Sequence, residues 1–177
     1  DQGRRILIGW VGGPDNPYAE PSLEQEHWIY NLTVPRVIEM RNGTLTQMPI
    51  SELKQLRSTV HQFQCGVSEE LPSNCFDWEL SANTPLTSFQ IQFTDDMELI
   101  YKDSILSLRF SGETGAGRTC RRLKCEAIQS LRILSDRSVI EIYINDGTYV
   151  MTSRFFPKKN LNVCVQGAFT QNQLWLL

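Results

Sequence analysis

Only two residues of the 177-residue chain carry an imidazole, His27 and His61. They stand far apart in sequence, and neither has a cysteine or carboxylate at zinc-ligand spacing, so both read as surface or packing histidines. The five cysteines are Cys65, Cys75, Cys120, Cys125 and Cys164. Cys120 and Cys125 are spaced too widely for a CxxC half-site and have no second pair. No histidine is placed to activate any cysteine as a nucleophile. The expectation is no metal and no cofactor. Residues 112–119 (GETGAGRT) are glycine-rich, but the Lys-Ser/Thr pair of a P-loop is absent and no amphipathic helix follows. The stretch reads as a flexible hairpin loop. Arg118, Arg121, Arg122 and Lys124 form a basic cluster that reads as a solvated face. Cutting a glycosidic bond takes two carboxylates about 5–9 Å apart. Asp95 and Asp96 are adjacent, so in a strand they would point to opposite faces. Glu24, Glu26 and Asp77 reveal no partner by spacing. The residues themselves name no catalytic set. Trp10, Trp78 and Trp175 read as core on strand-like runs, whereas Trp28 follows a polar loop and is the tryptophan placed to line a cleft.

The elements that must position these groups are mostly strands. Residues 4–11 form a β-branched and aromatic run that Gly12-Gly13-Pro14-Asp15-Asn16-Pro17 ends. Residues 18–27 are polar, contain Pro21 and read as a long loop. Residues 28–34 form a second strand-like run, stopped by Pro35. Asn42-Gly43 joins two more runs, and a type I′ hairpin turn favours that dipeptide because both central residues need positive φ. Ser51 as a cap and Glu52-Leu53-Lys54-Gln55-Leu56-Arg57 predict a short helix. Strand patterning resumes at about residue 60. Phe89, Ile91 and Phe93 share one face, as do Ile140, Ile142 and Ile144, and Asp146-Gly147 turns the second run into a hairpin. About nine strands after residue 59 predict an all-β sandwich or barrel. The expected organisation is residues 1–50, a linker at 51–58, and a sandwich at 59–177.

Composition narrows the function. Hydrophobic residues are 41% and charged residues 21% of the chain, so it is not a disordered segment. With Lys+Arg 17 against Asp+Glu 20 it has no basic excess, which argues against nucleic-acid binding. No apolar run reaches the roughly 18–20 residues of a membrane-spanning helix. The start has neither Met nor leader, which leads to the expectation of a piece cut from a longer protein. The odd, irregular cysteine set leads to the expectation of a cytoplasmic location, with the sequons at Asn31 and Asn42 as chance.

Three stretches together carry a resemblance. They are Gly3 to Trp10, then Trp28 to Arg36 with the Asn42-Gly43 hairpin and Pro49 to Leu53, then Asp136 to Gly147 continuing to Pro157. Their order and spacing resemble the C-terminal part of glycoside hydrolase family 32, and within it the bacterial sucrose-6-phosphate hydrolases (invertases, β-fructofuranosidases). The resemblance implies a five-bladed β-propeller followed by a β-sandwich, with residues 1–50 as the last propeller strands. It implies a parent that hydrolyses terminal β-fructofuranoside bonds of sucrose or sucrose 6-phosphate with retention. The family's catalytic Arg-Asp-Pro and Glu-Cys motifs do not occur here, and Lys124-Cys125-Glu126 has the wrong order. The chain alone is therefore expected to be inactive. The resemblance assigns Trp28 to the fructose-binding wall, with His27 where many members carry a small residue. A homodimer, and a free-standing sugar-binding or dimerisation module, are the other expectations.

Overall fold

The computed structural model describes residues 3–12 and 18–177. The chain folds as an all-β sandwich preceded by a small β unit. The first unit holds β1 (Arg5–Leu7), β2 (Trp10–Val11), α1 (Pro21–Glu26), β3 (Asn31–Leu32), β4 (Arg36–Arg41) and β5 (Thr44–Pro49). These make a three-stranded sheet in the order β1-β4-β5 and a two-stranded ribbon, β2-β3. The Asn42-Gly43 turn is as expected, with φ of 50° and 78°.

Three local expectations change here. The run at 4–11 breaks at Ile8-Gly9, and only Asn31–Leu32 of the run at 28–34 pairs as a strand. The loop expected at 18–27 contains α1, because Pro21 sits in its first turn, where its missing N–H costs nothing, and helix-tolerant residues follow it. The stretch Ser51–Leu56 is a 3₁₀ helix, and Ser51 lies inside it rather than capping it.

The sandwich comprises β6 (Val60–His61), β7 (Ser68–Glu70), β8 (Phe76–Leu86), β9 (Phe89–Thr94), β10 (Met97–Lys102), β11 (Ile105–Phe110), β12 (Cys120–Lys124), β13 (Ile128–Asp136), β14 (Val139–Ile144), β15 (Tyr149–Arg154), β16 (Asn162–Gly167) and β17 (Gln171–Leu176). That is twelve strands rather than about nine, since β6, β7 and β12 are short and polar and carry little hydrophobic alternation. One sheet runs β12-β11-β10-β9-β16-β7 and the other β15-β14-β13-β8-β17-β6, with antiparallel neighbours throughout. Phe89, Ile91 and Phe93 face Trp78, Ile133, Ile140 and Ile142 across a continuous apolar core.

Strand β14 departs from the alternation that its sequence announces. Ile140, Ile142 and Ile144 point inward as expected, yet Val139, Glu141 and Tyr143 are buried too. The outer face of this sheet is covered by the first unit. Gln47 N–H donates to the Gly147 carbonyl at 2.9 Å, and Val34 N–H to Glu141 Oε1 at 2.7 Å. Gly147 has φ of 79°, and a Cβ there would lie 2.1 Å from the Gln47 carbonyl oxygen. The turn after β14 therefore admits the backbone of β5 only because residue 147 has no side chain.

Candidate functional site

Three arginine–carboxylate locks hold the two parts and their linker together. In the first, the buried Glu141 on β14 accepts from Val34 N–H at 2.7 Å and from Arg36 Nη2 at 2.6 Å and Nε at 3.1 Å. Tyr143 Oη donates to the same carboxylate at 2.5 Å. Burial first, then the Glu141 charge, push the Tyr143 hydroxyl far above its ordinary value, so it stays a donor. Arg36 also reaches Thr152 Oγ1 at 2.8 Å and Gln47 Oε1 at 3.2 Å. β4 places Arg36, and the register of β14 with β15 places its partners.

In the second lock, Asp77 on β8 is 0% exposed. It takes a two-pronged contact from Arg132 at 2.9 and 2.8 Å and a bond from Arg57 Nε at 2.7 Å. Arg57 follows the 3₁₀ helix and stacks over Trp175 at 3.9 Å. Asp77, which spacing leaves undistinguished, is thus the anchor of the linker. Sequence gave no signal for it, because both arginines reach it only through strand pairing and the linker's path.

The third lock surrounds Trp28. Glu20, buried just before α1, meets Arg118 Nη2 at 2.5 Å and Arg154 Nη1 at 3.5 Å. Arg118 lies over the Tyr18 ring at 4.9 Å. Arg154 donates to Ile29 O at 2.9 Å, Ser22 Oγ at 3.1 Å and Ser138 O at 3.2 Å. Burial lowers the Arg154 guanidinium pKa, with Glu20 opposing and Arg118 adding to the effect. Arg118 is therefore 4% exposed, not part of a solvated basic face. The glycine-rich stretch is likewise packed: a 3₁₀ turn at Glu113–Gly115 buries Thr114 and Gly115, and Ala19 N–H bonds Ala116 O at 3.1 Å. The expected loop is closed down because α1's entry segment docks on it.

His27, with φ of 63°, ends α1 and turns the chain into Trp28. Trp28 is half-buried; Arg154 Cζ stands 5.2 Å from its ring centroid, and its indole N–H donates to Glu26 at 2.5 Å. One ring face is thus occupied by a guanidinium, and the rest of the ring stays partly open. Trp10, expected in the core, is instead 69% exposed and edge-on to Tyr30 at 4.9 Å. Trp78 is fully buried in the core.

The remaining candidates are not brought together. His61 Nδ1 faces Glu69 at 3.4 Å across the edge strands β6 and β7. Cys125 Sγ contacts Ala127 O at 3.2 Å, and burial pushes its thiol up. Asp96 accepts from Thr114 N–H at 2.9 Å and Thr94 Oγ1 at 2.6 Å, so it ties the turn after β9 to the glycine-rich stretch. Glu20, Asp77 and Glu141, the buried carboxylates among the described residues, are each committed to an arginine.

An all-β sandwich with a small sheet locked onto its flank by buried ion pairs is the class that this fold defines. The model of the C-terminal domain of glycosyl hydrolases family 32 matches residues 52–174, and the chain belongs to that family. The sucrose-6-phosphate hydrolase of Klebsiella pneumoniae is 38% identical over 157 residues, 89% of this chain and 33% of the enzyme. A probable sucrose-6-phosphate hydrolase of Vibrio cholerae is 36% identical across 99% of this chain and 33% of its own length. The chain thus spans about a third of the length of the curated relatives it matches. The sucrose-6-phosphate hydrolase structure from Lactobacillus gasseri superposes over 99% of this chain and 39% of its own, with TM-score 0.81 and 22% identity. The Bombyx mori GH32 beta-fructofuranosidase covers 100% of this chain and 39% of its own, with TM-score 0.73 and 20% identity. These two structures share the fold.

Proposed function

We propose that this chain is the C-terminal part of a β-fructofuranosidase that hydrolyses sucrose or sucrose 6-phosphate with retention. In this reading residues 1–50 supply the last propeller strands, 51–58 the linker and 59–177 a bracing sandwich. The nucleophile and acid/base lie upstream, Trp28 contributes to the fructose-binding wall, and the protein works in the cytoplasm. The observation that carries the reading is the Vibrio cholerae alignment, which runs through the small unit as well as the sandwich at 36% identity. The geometry adds support. Ile6, Ile8, Trp10 and Leu32 are exposed on the small unit. An apolar surface of this kind on so few strands fits coverage by further blades. Trp28, held by Arg154 and Glu26, has a partly open ring of the type that stacks on sugars.

Incubating the 177-residue chain with sucrose and with sucrose 6-phosphate, beside a full-length relative as control, tests this. The expected result is no glucose or fructose above the blank while the control turns over. Reproducible release by the chain alone would overturn it. A second copy covering the exposed apolar surface is the homodimer reading. It would show as a concentration-dependent dimer in sedimentation that Trp10→Ser and Leu32→Ser abolish.

A further inference from the structure

Two of the connections that switch between the sheets, β6 to β7 and β16 to β17, run along the same edge of the sandwich. Where they meet, the sheets part around a cavity of about 340 Å³. That size falls within the range of small-molecule sites. Its wall is unusual chemically. It carries the carboxamides of Gln62, Gln171, Asn172 and Gln173 and the rings of Phe63 and Phe169, and no Asp, Glu, Lys, Arg or His. Two other clefts, bordered by Lys54, Glu79 and Arg132 and by Asp95, Glu98 and Arg109, carry full charges.

Several of these groups are fixed in advance. Asn172 Oδ1 accepts from the buried Trp78 indole N–H at 2.7 Å, while its Nδ2 donates to Phe63 O at 3.2 Å. Gln171 Oε1 accepts from Ser81 Oγ at 3.0 Å. Phe63 packs on Trp78 at 5.1 Å and Phe169 on Phe89 at 5.3 Å. Side chains already held lose little freedom on binding. Carboxamides donate and accept together, which suits vicinal hydroxyls, and an aromatic ring suits the C–H face of a sugar. A charged ligand would be desolvated there without a counter-charge.

We infer that this rim cavity binds a neutral oligosaccharide. The site lies at the β17-β6 edge, whereas Trp28 is held by Arg154 on β15 at the opposite edge of the same sheet. Four strand spacings separate β15 from β17, about 19 Å. The inference does not depend on the hydrolase reading.

The test is a titration of the labelled 177-residue chain with sucrose, maltotriose, glycerol and sucrose 6-phosphate, followed by amide and indole NMR. Sucrose and maltotriose should give saturable shifts at the side-chain amides of Gln62, Asn172 and Gln173 and at the Trp78 indole. Glycerol should give none, and sucrose 6-phosphate should bind more weakly than sucrose. Gln62→Ala and Gln173→Ala, both at exposed positions, should each weaken binding about 2- to 10-fold, the loss of one hydrogen bond. An unmoved Trp78 indole signal in the free variants will show that the fold is kept. No saturable shift at tens of millimolar, shifts confined to Trp28 and its neighbours, equal shifts with glycerol, equal or tighter binding of sucrose 6-phosphate, or unchanged affinity in both variants would overturn the inference.

Discussion

Replacing Glu141 with alanine is expected to separate the small unit from the sandwich before the sandwich itself unfolds. The carboxylate accepts four hydrogen bonds, from Val34 N–H, two Arg36 nitrogens and Tyr143 Oη. Arg36 is 6% exposed, so removing its partner leaves a buried charge uncompensated. Breaking one side of such a pair costs about 3–5 kcal/mol, a large share of the roughly 5–15 kcal/mol that holds a domain folded. The contacts to Thr152 and Gln47 keep part of the guanidinium satisfied, which favours the lower end, about 3 kcal/mol. Removing both charges should cost far less. Arg36→Met with Glu141→Leu swaps the pair for apolar groups of similar length, and such swaps are often close to neutral. The assay is urea unfolding of wild type, Glu141→Ala, the single variants Arg36→Met and Glu141→Leu and their double variant, followed by tryptophan fluorescence and far-UV circular dichroism. The expected pattern is a large coupling energy, and in Glu141→Ala a fluorescence transition at lower urea than the dichroism transition. A loss below about 1 kcal/mol for Glu141→Ala, or additive single-variant losses, would refute the claim that this pair holds the units together.

Gly147→Ala should destabilise by about 2–5 kcal/mol, because a left-handed backbone and a collision with the Gln47 carbonyl add. Gly43→Ala, at nearly the same φ but with nothing within 4 Å, should cost only about 1 kcal/mol; thermal melts of the two variants isolate the contact. Burial alone would raise the Asp96 carboxyl, but the hydrogen bonds from Thr114 and Thr94 outweigh it and hold it below its ordinary value. Its contribution is therefore present above the unfolded carboxyl value of about 4 and lost as pH falls through the lower folded value. Asp96→Asn should flatten that acid limb in melts at a series of pH values. The buried Cys125 has its thiol pushed up by burial, so alkylation of the native protein followed by mass spectrometry should modify exposed Cys65 first and Cys125 only on unfolding.

Much of the sandwich was legible because its strands follow a period of two and its turns use residues that accept positive φ. Phe89, Ile91 and Phe93, and the turns at Asn42-Gly43 and Asp146-Gly147, declare themselves in this way. What stayed hidden depends on long-range contact. Glu141 and Tyr143 occupy positions that alternation assigns to solvent, and only the docking of β4 and β5 buries them. Arg118 looks like one member of a surface cluster, and its distinction is a carboxylate far away at Glu20. Trp10 misled in the other direction, since an aromatic on a strand belongs in a core only if another layer covers it. The Trp28 surroundings were partly legible. The polar loop before it pointed to an open ring, but the arginine over that ring comes from β15 and leaves no trace nearby in sequence.

The first lock also constrains how the molecule is made. Arg36 finds Glu141 at a sequence separation of 105 residues. On a ribosome adding about 5–20 residues per second, the small sheet waits on the order of 5–20 s for that partner. During this interval the side chains that the sandwich later covers are accompanied by a bare arginine. That charge keeps the nascent face hydrated and works against premature pairing with a neighbouring chain. The swap to an apolar pair would remove that protection. The double variant is therefore expected to be close to the wild type in stability once folded and more aggregation-prone while being synthesised, a difference that soluble yield in cell-free translation would reveal.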